Sequence, residues 1–258
     1  MNLKFEEFQQ SNLGLKELDN IRLKSFKKFE ALGFPTKKQE NWKYTDLKAI
    51  IDSNFKSLQI FKDQKNSKYN SKLLIRNFEH NQIILLNGNF IESNFNFEDE
   101  KKISIKSLKV ALESKTEFEK IKNYFDDEQN SMVSLNHALV KDGIVLKTDN
   151  NYSFNKPLII YNLFDKTADS KIINNKVFIS LGENSKLSLV DYYECENNIK
   201  YFNNTIHNYN IEKNAILKKF SINASIDGSY NYNSTKINSY SNSIFENFLL
   251  SLGPNFIK

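Results

Sequence analysis

The second half of this chain repeats itself. Asn184-Ser185-Lys186-Leu187 recurs as Asn214-Ala215-Ile216-Leu217 after an offset of 30 residues, and as Asn242-Ser243-Ile244-Phe245 after a further 28. The flanks keep register: Ile179 and Leu181 align with Tyr209 and Ile211, and Val190 aligns with Phe220 and then Phe248. From residue 144 onward, short apolar stretches alternate with Asn-rich turns, and no apolar stripe of helical length remains. One such unit cannot bury its own apolar face, so each must stack on the next. That points to a β-solenoid with two strands per coil. A sandwich would space its strands more closely; starts roughly 14 residues apart favour the solenoid.

The first half reads differently. Residues 3–32 have helical spacing: Phe5 and Phe8 start it, Leu15, Leu18, Ile21 and Leu23 follow, and Phe26 and Phe29 come further on. A helix ending at Leu32 puts Gly33 where a left-handed residue is wanted. Phe34 can then fold back on the last turn, and Pro35 prevents continuation. Thr36 and Gln39 have capping-box spacing for a new helix, and Thr45 is a second cap candidate. Residues 36–61 are expected to hold one or two short helices, with Leu47, Ile50 and Ile51 on the apolar face. Ile83–Leu86 followed by Asn87-Gly88 reads as a strand entering a tight hairpin. A helix suits residues 105–113. Ser131 can cap a helix carrying Met132, Leu135, Ala138 and Leu139, with Gly143 ending it and Ile144–Leu146 beginning a strand. The expected organisation is α+β: a mainly helical domain over 1–130 with a short strand hairpin, then the solenoid over 131–258.

Residues 29–47, FEALGFPTKKQENWKYTDL, also carry a resemblance. Leu32, Gly33, Pro35, Thr36, Glu40, Trp42, Lys43, Tyr44 and Thr45 fall at the spacing of the N-terminal motif of the SufD family. SufD belongs to the SUF iron–sulfur cluster assembly system, and its paralogue SufB reads differently here. Leu135, Asn136, Ala138, Asp142 and Gly143 resemble a second segment shared by SufB and SufD. The resemblance implies a right-handed parallel β-helix core. It also implies a non-catalytic, cytoplasmic subunit that pairs with SufB and the ATPase SufC and assists cluster assembly and iron acquisition. No cofactor would reside in this segment, because the cluster passes transiently through the whole complex. Against the family pattern, the chain stops at Ser251–Lys258 in mid-core. A Cys-Ser-His-Gly-type motif and the helices that dock SufC would both lie beyond that point. The expectation is a core truncated between coils, with strand edges open to pairing.

Composition agrees with a globular protein. Of 258 residues, 40% are hydrophobic and 26% charged, and only 7 Gly and 3 Pro argue against a linker-rich chain. No apolar run approaches the ~20 residues of a membrane-spanning helix, and Glu6 and Glu7 close behind Lys4 do not fit a targeting peptide. A single cysteine allows no internal disulfide, which fits a reducing compartment. The net charge of +5 comes from lysine, with Arg22 and Arg76 the only arginines. Nucleic-acid readers favour the guanidinium fork, so no nucleic-acid partner is expected.

Candidate chemistry is sparse. Cys195, His80, His137 and His207 are far apart in sequence, unlike the grouped ligands of zinc or iron–sulfur sites. Carboxylates beside Cys195 would raise its thiol pKa, so it reads as an ordinary strand cysteine. His137 reads as a packed or surface histidine, and Trp42 as a core anchor. There is no phosphate loop, no Gly-x-Ser-x-Gly elbow and no zinc-protease helix. The chain is therefore expected not to be an enzyme, with no catalytic, metal or cofactor-binding residues assigned. Two rival classes stay open. A β-helix polysaccharide-active enzyme would line adjacent coils with acidic and basic groups, yet residues 144–258 hold no arginine and only scattered acids. A nucleic-acid binder built on lysine and aromatic residues would lack a recognised module.

Overall fold

The structure, a computed structural model, describes residues 15–62, 68–125, 130–225 and 228–258. Helices α1 (Lys16–Leu32) and α2 (Leu47–Asn54) precede β1 (Gln59–Ile60), β2 (Asn81–Leu86), β3 (Asn89–Asn94) and β4 (Ile103–Ser107). Next come α3 (Leu108–Glu113), α4 (Lys115–Ile121) and α5 (Ser131–Leu139). The strands β5 (Asp142–Thr148), β6 (Leu158–Phe164), β7 (Lys171–Leu181), β8 (Lys186–Cys195) and β9 (Tyr201–Ile211) follow. The last are β10 (Ile216–Asn223), β11 (Ser229–Ser239), β12 (Ile244–Ser251) and β13 (Phe256–Ile257).

From β5 to β13 the odd-numbered strands form one sheet and the even-numbered strands another, all paired in parallel. Successive coils are β5–β6, β7–β8, β9–β10 and β11–β12. The sequence repeat is the register of this stack. Lys186 pairs with Ile216 and Ile216 with Ile244, Val190 with Phe220 and Phe220 with Phe248, and Ile179 with Tyr209. Asn184, Asn214 and Asn242 occupy the same turn in successive coils, each left-handed at φ 57, 58 and 57. Asparagine tolerates that backbone better than other side-chain-bearing residues. Its amide also builds a ladder: Nδ2 of Asn214 donates to Oδ1 of Asn184 at 2.9 Å, and Nδ2 of Asn242 to Oδ1 of Asn214 at 3.3 Å.

The hairpin β2–β3 turns through Asn87 (φ 50) and Gly88 (φ 81), as the Asn-Gly pair predicts. It is also part of the solenoid wall, because β2 pairs in parallel with β6. On the other sheet, β4 adds antiparallel to β5, and β1 pairs with β7. Residues 103–107, placed partly in a helix by the sequence reading, are thus strand, and α3 begins at Leu108.

Inside the coils, alternate residues point inward. Leu187, Leu189, Leu217, Val177, Ile179, Leu181, Tyr209 and Ile211 belong to one buried cluster. Outside, α5 lies between α1 and strands β7 and β9. Every residue of α5 is buried, so it has no solvent face. The single apolar stripe expected for it is incomplete as a description. Its N-cap is Asn130, whose Oδ1 accepts from Met132 N at 3.0 Å; Ser131 is already helical. Nor does Gly143 end the helix, which closes at Val140. Gly143 lies in β5 at φ 142, and a Cβ there would sit 1.9 Å from the Lys176 carbonyl oxygen.

At the other helical boundary, α1 ends at Leu32 with Gly33 at φ 67, and Phe34 packs edge-on against Phe29 at 5.1 Å. The capping box expected at Thr36 is replaced by a tight turn. Gln39 N donates to Thr36 O at 3.1 Å, and only a short 3-10 turn, Glu40–Trp42, follows. The cap of α2 is Asp46, one residue after the expected Thr45, with its carboxylate accepting from Ala49 N at 2.9 Å. Phe5 and Phe8 lie outside the described residues.

Candidate functional site

The sequence motifs turn out to join the helical layer to the solenoid. Trp42 is buried and stacks on Tyr232 of β11 at 5.8 Å, while the Lys258 ammonium lies 4.4 Å above its ring. Lys258 Nζ also donates to Asn41 O at 2.7 Å. Asn136, wholly buried in α5, uses its amide to donate to Asn175 O at 3.0 Å and Asn204 O at 2.8 Å. One side chain thereby fastens the helix to two adjacent coils. Asp142 accepts from Phe90 N at 3.0 Å, Ser107 Oγ at 2.7 Å and Lys109 N at 3.0 Å, tying β3, β4 and α3 to β5. Burial pushes its carboxyl upward, and these donors oppose the push. The second motif is therefore a packing and hydrogen-bonding device at the junction of helix and coil.

The cysteine and histidines stay apart. Cys195 ends β8, buried, and borders a surface hollow of about 580 Å³ shared with Lys166, Asp169, Glu196 and Asn198. Burial, more than the neighbouring Glu194 and Glu196, raises its thiol pKa, so the thiolate is disfavoured. His137 is buried on α5 against Phe125 at 5.4 Å, and burial holds its pKa well below the usual histidine range. His80 Nε2 lies 2.9 Å from the Tyr161 hydroxyl, with Phe78 stacked on the ring at 5.7 Å. Among the described residues, no group of three His, Cys, Asp or Glu side chains is arranged to hold a metal ion.

His207 has partners that sequence proximity does not reveal. It points into the coil interior from β9, and its Nε2 lies 2.9 Å from Asp191 Oδ2 of β8. Lys219 of β10 brings its Nζ to 3.3 Å from the same oxygen. Asn162 of β6 donates to Asp191 Oδ1 at 2.7 Å, and the Tyr193 hydroxyl lies 2.9 Å from Oδ2. Asp191 and His207 are each 1% exposed and Lys219 is 5% exposed. Burial would raise the Asp191 pKa, but the Lys219 ammonium and the donated hydrogen bonds outweigh it and hold the carboxyl below its usual range. Burial first, and the Lys219 charge second, keep His207 neutral. This is a closed ion pair with a neutral imidazole beside it. With all three charged or titratable groups buried and turned on one another, its chemistry is that of a structural lock. The signal that could have found it is alternation: Leu187, Leu189, Asp191 and Tyr193 share one face of β8, which puts a carboxylate where the core should be.

The family model described as SufBD protein N-terminal region matches residues 6–160. The chain belongs to the SufBD family. Membership ties it to SUF iron–sulfur cluster assembly and to partners within the SUF complex. The matched residues include both motifs, with Trp42, Asn136, Asp142 and Gly143, whereas Asp191, Cys195, His207 and Lys219 lie beyond them. No curated protein matches this SufBD chain. No helix among its described residues is long and apolar enough to cross a membrane.

Proposed function

We propose that this chain is the SufD-type subunit of a SUF assembly complex and works as a non-catalytic scaffold. It pairs with SufB and the ATPase SufC in the cytoplasm. The iron–sulfur cluster is cargo of the complex, and this segment holds no resident cofactor. ATP hydrolysis belongs to SufC.

The observation that carries this reading is the spacing from Leu32 to Thr45, which favours SufD over SufB. Two findings support a scaffold role. The motif side chains Trp42, Asn136 and Asp142 are consumed in holding the helical layer on the coils. The one thiol, Cys195, is buried with a raised pKa, which suits a packed residue better than a sulfur acceptor.

The test is co-expression of the intact chain with SufB and SufC from the same genome. Size-exclusion chromatography should give a single complex containing all three. The purified complex should then load an acceptor apoprotein with cluster faster than SufB and SufC alone. The reading fails if SufB and SufC assemble and load the acceptor without recruiting this chain.

A further inference from the structure

One residue of the N-terminal motif has no internal use. Tyr44 is 88% exposed, the most exposed large hydrophobic side chain among the described residues; Phe248 follows at 57%. Its hydroxyl has no hydrogen-bond partner among those residues. Yet its backbone is held on both sides. Trp42 before it and Leu47 after it are buried. Thr45 N donates to Trp42 O at 2.8 Å, and Lys48 N donates to Pro35 O at 3.0 Å across the base of the turn. The ring is therefore presented to solvent from a fixed platform. Tyrosine supplies a large apolar face and a polar tip at low cost in rotamer entropy, and such rings are common anchors of protein interfaces. Holding the backbone in advance reduces what binding must order.

The surroundings indicate the partner's charge. The Lys43 ammonium lies 5.6 Å from the Tyr44 ring centroid. Lys37 and Lys38 are exposed on the preceding turn and pair with no carboxylate among the described residues. Glu40 is the only acidic residue from Thr36 to Thr45. A negative surface meeting this turn gains three ammoniums and one aromatic face. We propose that Lys37, Lys38, Lys43 and Tyr44 form a docking surface for an acidic segment of a partner protein. A second copy of this chain, with a net charge of +5, is a poor electrostatic match. Single-stranded nucleic acid fits less well too, because it is normally bound along several successive aromatic platforms and this turn offers one.

The test uses the 258-residue chain. A random peptide library displayed on phage is selected on it and counter-selected on the Tyr44→Ala variant, which should fold normally because the ring is so exposed. The enriched peptides should be acidic with at least one apolar residue. A synthetic copy should bind at least tenfold more weakly to Tyr44→Ala, about the loss of an interface anchor. Binding should also weaken in Lys37→Glu/Lys38→Glu and with rising salt. Three results would each overturn the proposal: no enrichment beyond the counter-selection, enriched peptides that are not acidic, or tighter Tyr44-dependent binding of an oligouridine probe.

Discussion

Replacing Lys219 by Met removes the charge that compensates Asp191 while keeping a side chain of similar length. The lysine is 5% exposed and the carboxylate 1%. Water therefore cannot replace the ammonium at 3.3 Å without opening the coil. Breaking one partner of such a buried pair costs about 3–5 kcal/mol. Asn162 at 2.7 Å and Tyr193 at 2.9 Å still donate to or approach the carboxylate, which places the expectation near the lower end, about 3 kcal/mol. With roughly 0.5 kcal/mol/K of unfolding entropy for a chain of this size, the melting temperature should fall by about 6 °C. Urea denaturation followed by far-ultraviolet circular dichroism at neutral pH measures this. Asp191→Asn in the Lys219→Met background removes the stranded charge and should recover most of the loss. His207 provides a separate readout. Without the nearby ammonium its pKa should rise, visible by NMR titration of the ring. A loss under about 1 kcal/mol, or a double variant no better than Lys219→Met, would show that the ion pair does not stabilise the coil as argued.

Further expectations rest on glycine positions, the asparagine ladder and the buried histidines. Gly143→Ala puts a methyl group 1.9 Å from the Lys176 carbonyl at φ 142 and should cost at least about 3 kcal/mol. Gly33→Ala, at φ 67 and ψ −172 with nothing within 4 Å of a new Cβ, meets no clash but enters a backbone region essentially confined to glycine and should cost about 1–3 kcal/mol, and thermal melts of the two variants separate clash from backbone preference. Asn214→Ala removes amide contacts with Asn184 and Asn242 and leaves a left-handed residue without its compensating side chain, so about 2 kcal/mol should be lost, with Asn214→Gly losing less because it restores the backbone freedom. Buried His137 and His207 both have lowered pKa values, so the unfolded chain takes up protons that the folded chain refuses. Stability should therefore fall as pH drops below about 6.5, by up to about 2.7 kcal/mol per pH unit while both contribute, and His137→Gln should roughly halve the slope in pH-dependent urea melts. The Asp191 contribution has the same sign in a lower window: it is fully present above about pH 3.9 and is lost as pH falls below that toward the lowered folded value.

The register of the coils was legible because it rests on local chemistry repeated in the chain. Asn184, Asn214 and Asn242 need left-handed turns and stack on themselves, so their spacing reads out the solenoid directly. The end of α1 was legible for a similar reason, since Gly33 and Phe34 act within one turn of the helix. What escaped depends on distant partners. Gly143 reads as a helix stop until the Lys176 carbonyl, brought alongside by β7, shows why no side chain fits. The Thr36 capping box gave way because the turn it begins serves to bury Trp42 against Tyr232, nearly two hundred residues away. The Asp191 cluster gathers from β6, β8, β9 and β10, so no sequence window contains it.

Those distant partners also change what kind of solenoid this is. A bare solenoid is quasi-one-dimensional, and each coil is stabilised mainly by its two neighbours. Here the helical layer runs across the stack. Asn136 bonds to β7 and β9, while Asn130 and Trp42 reach Tyr232 on β11. Lys258, just past β13, returns to Trp42 and Asn41. Inside, Asp191 links successive coils through Asn162 and Lys219. Coils that could fray one at a time are bound from both faces, so unfolding should be shared across the stack. The motif that marks the family acts in this fold as a strap. Its buried residues tie the layers together, while Tyr44, fixed between buried Trp42 and Leu47, is left as the most exposed aromatic among the described residues.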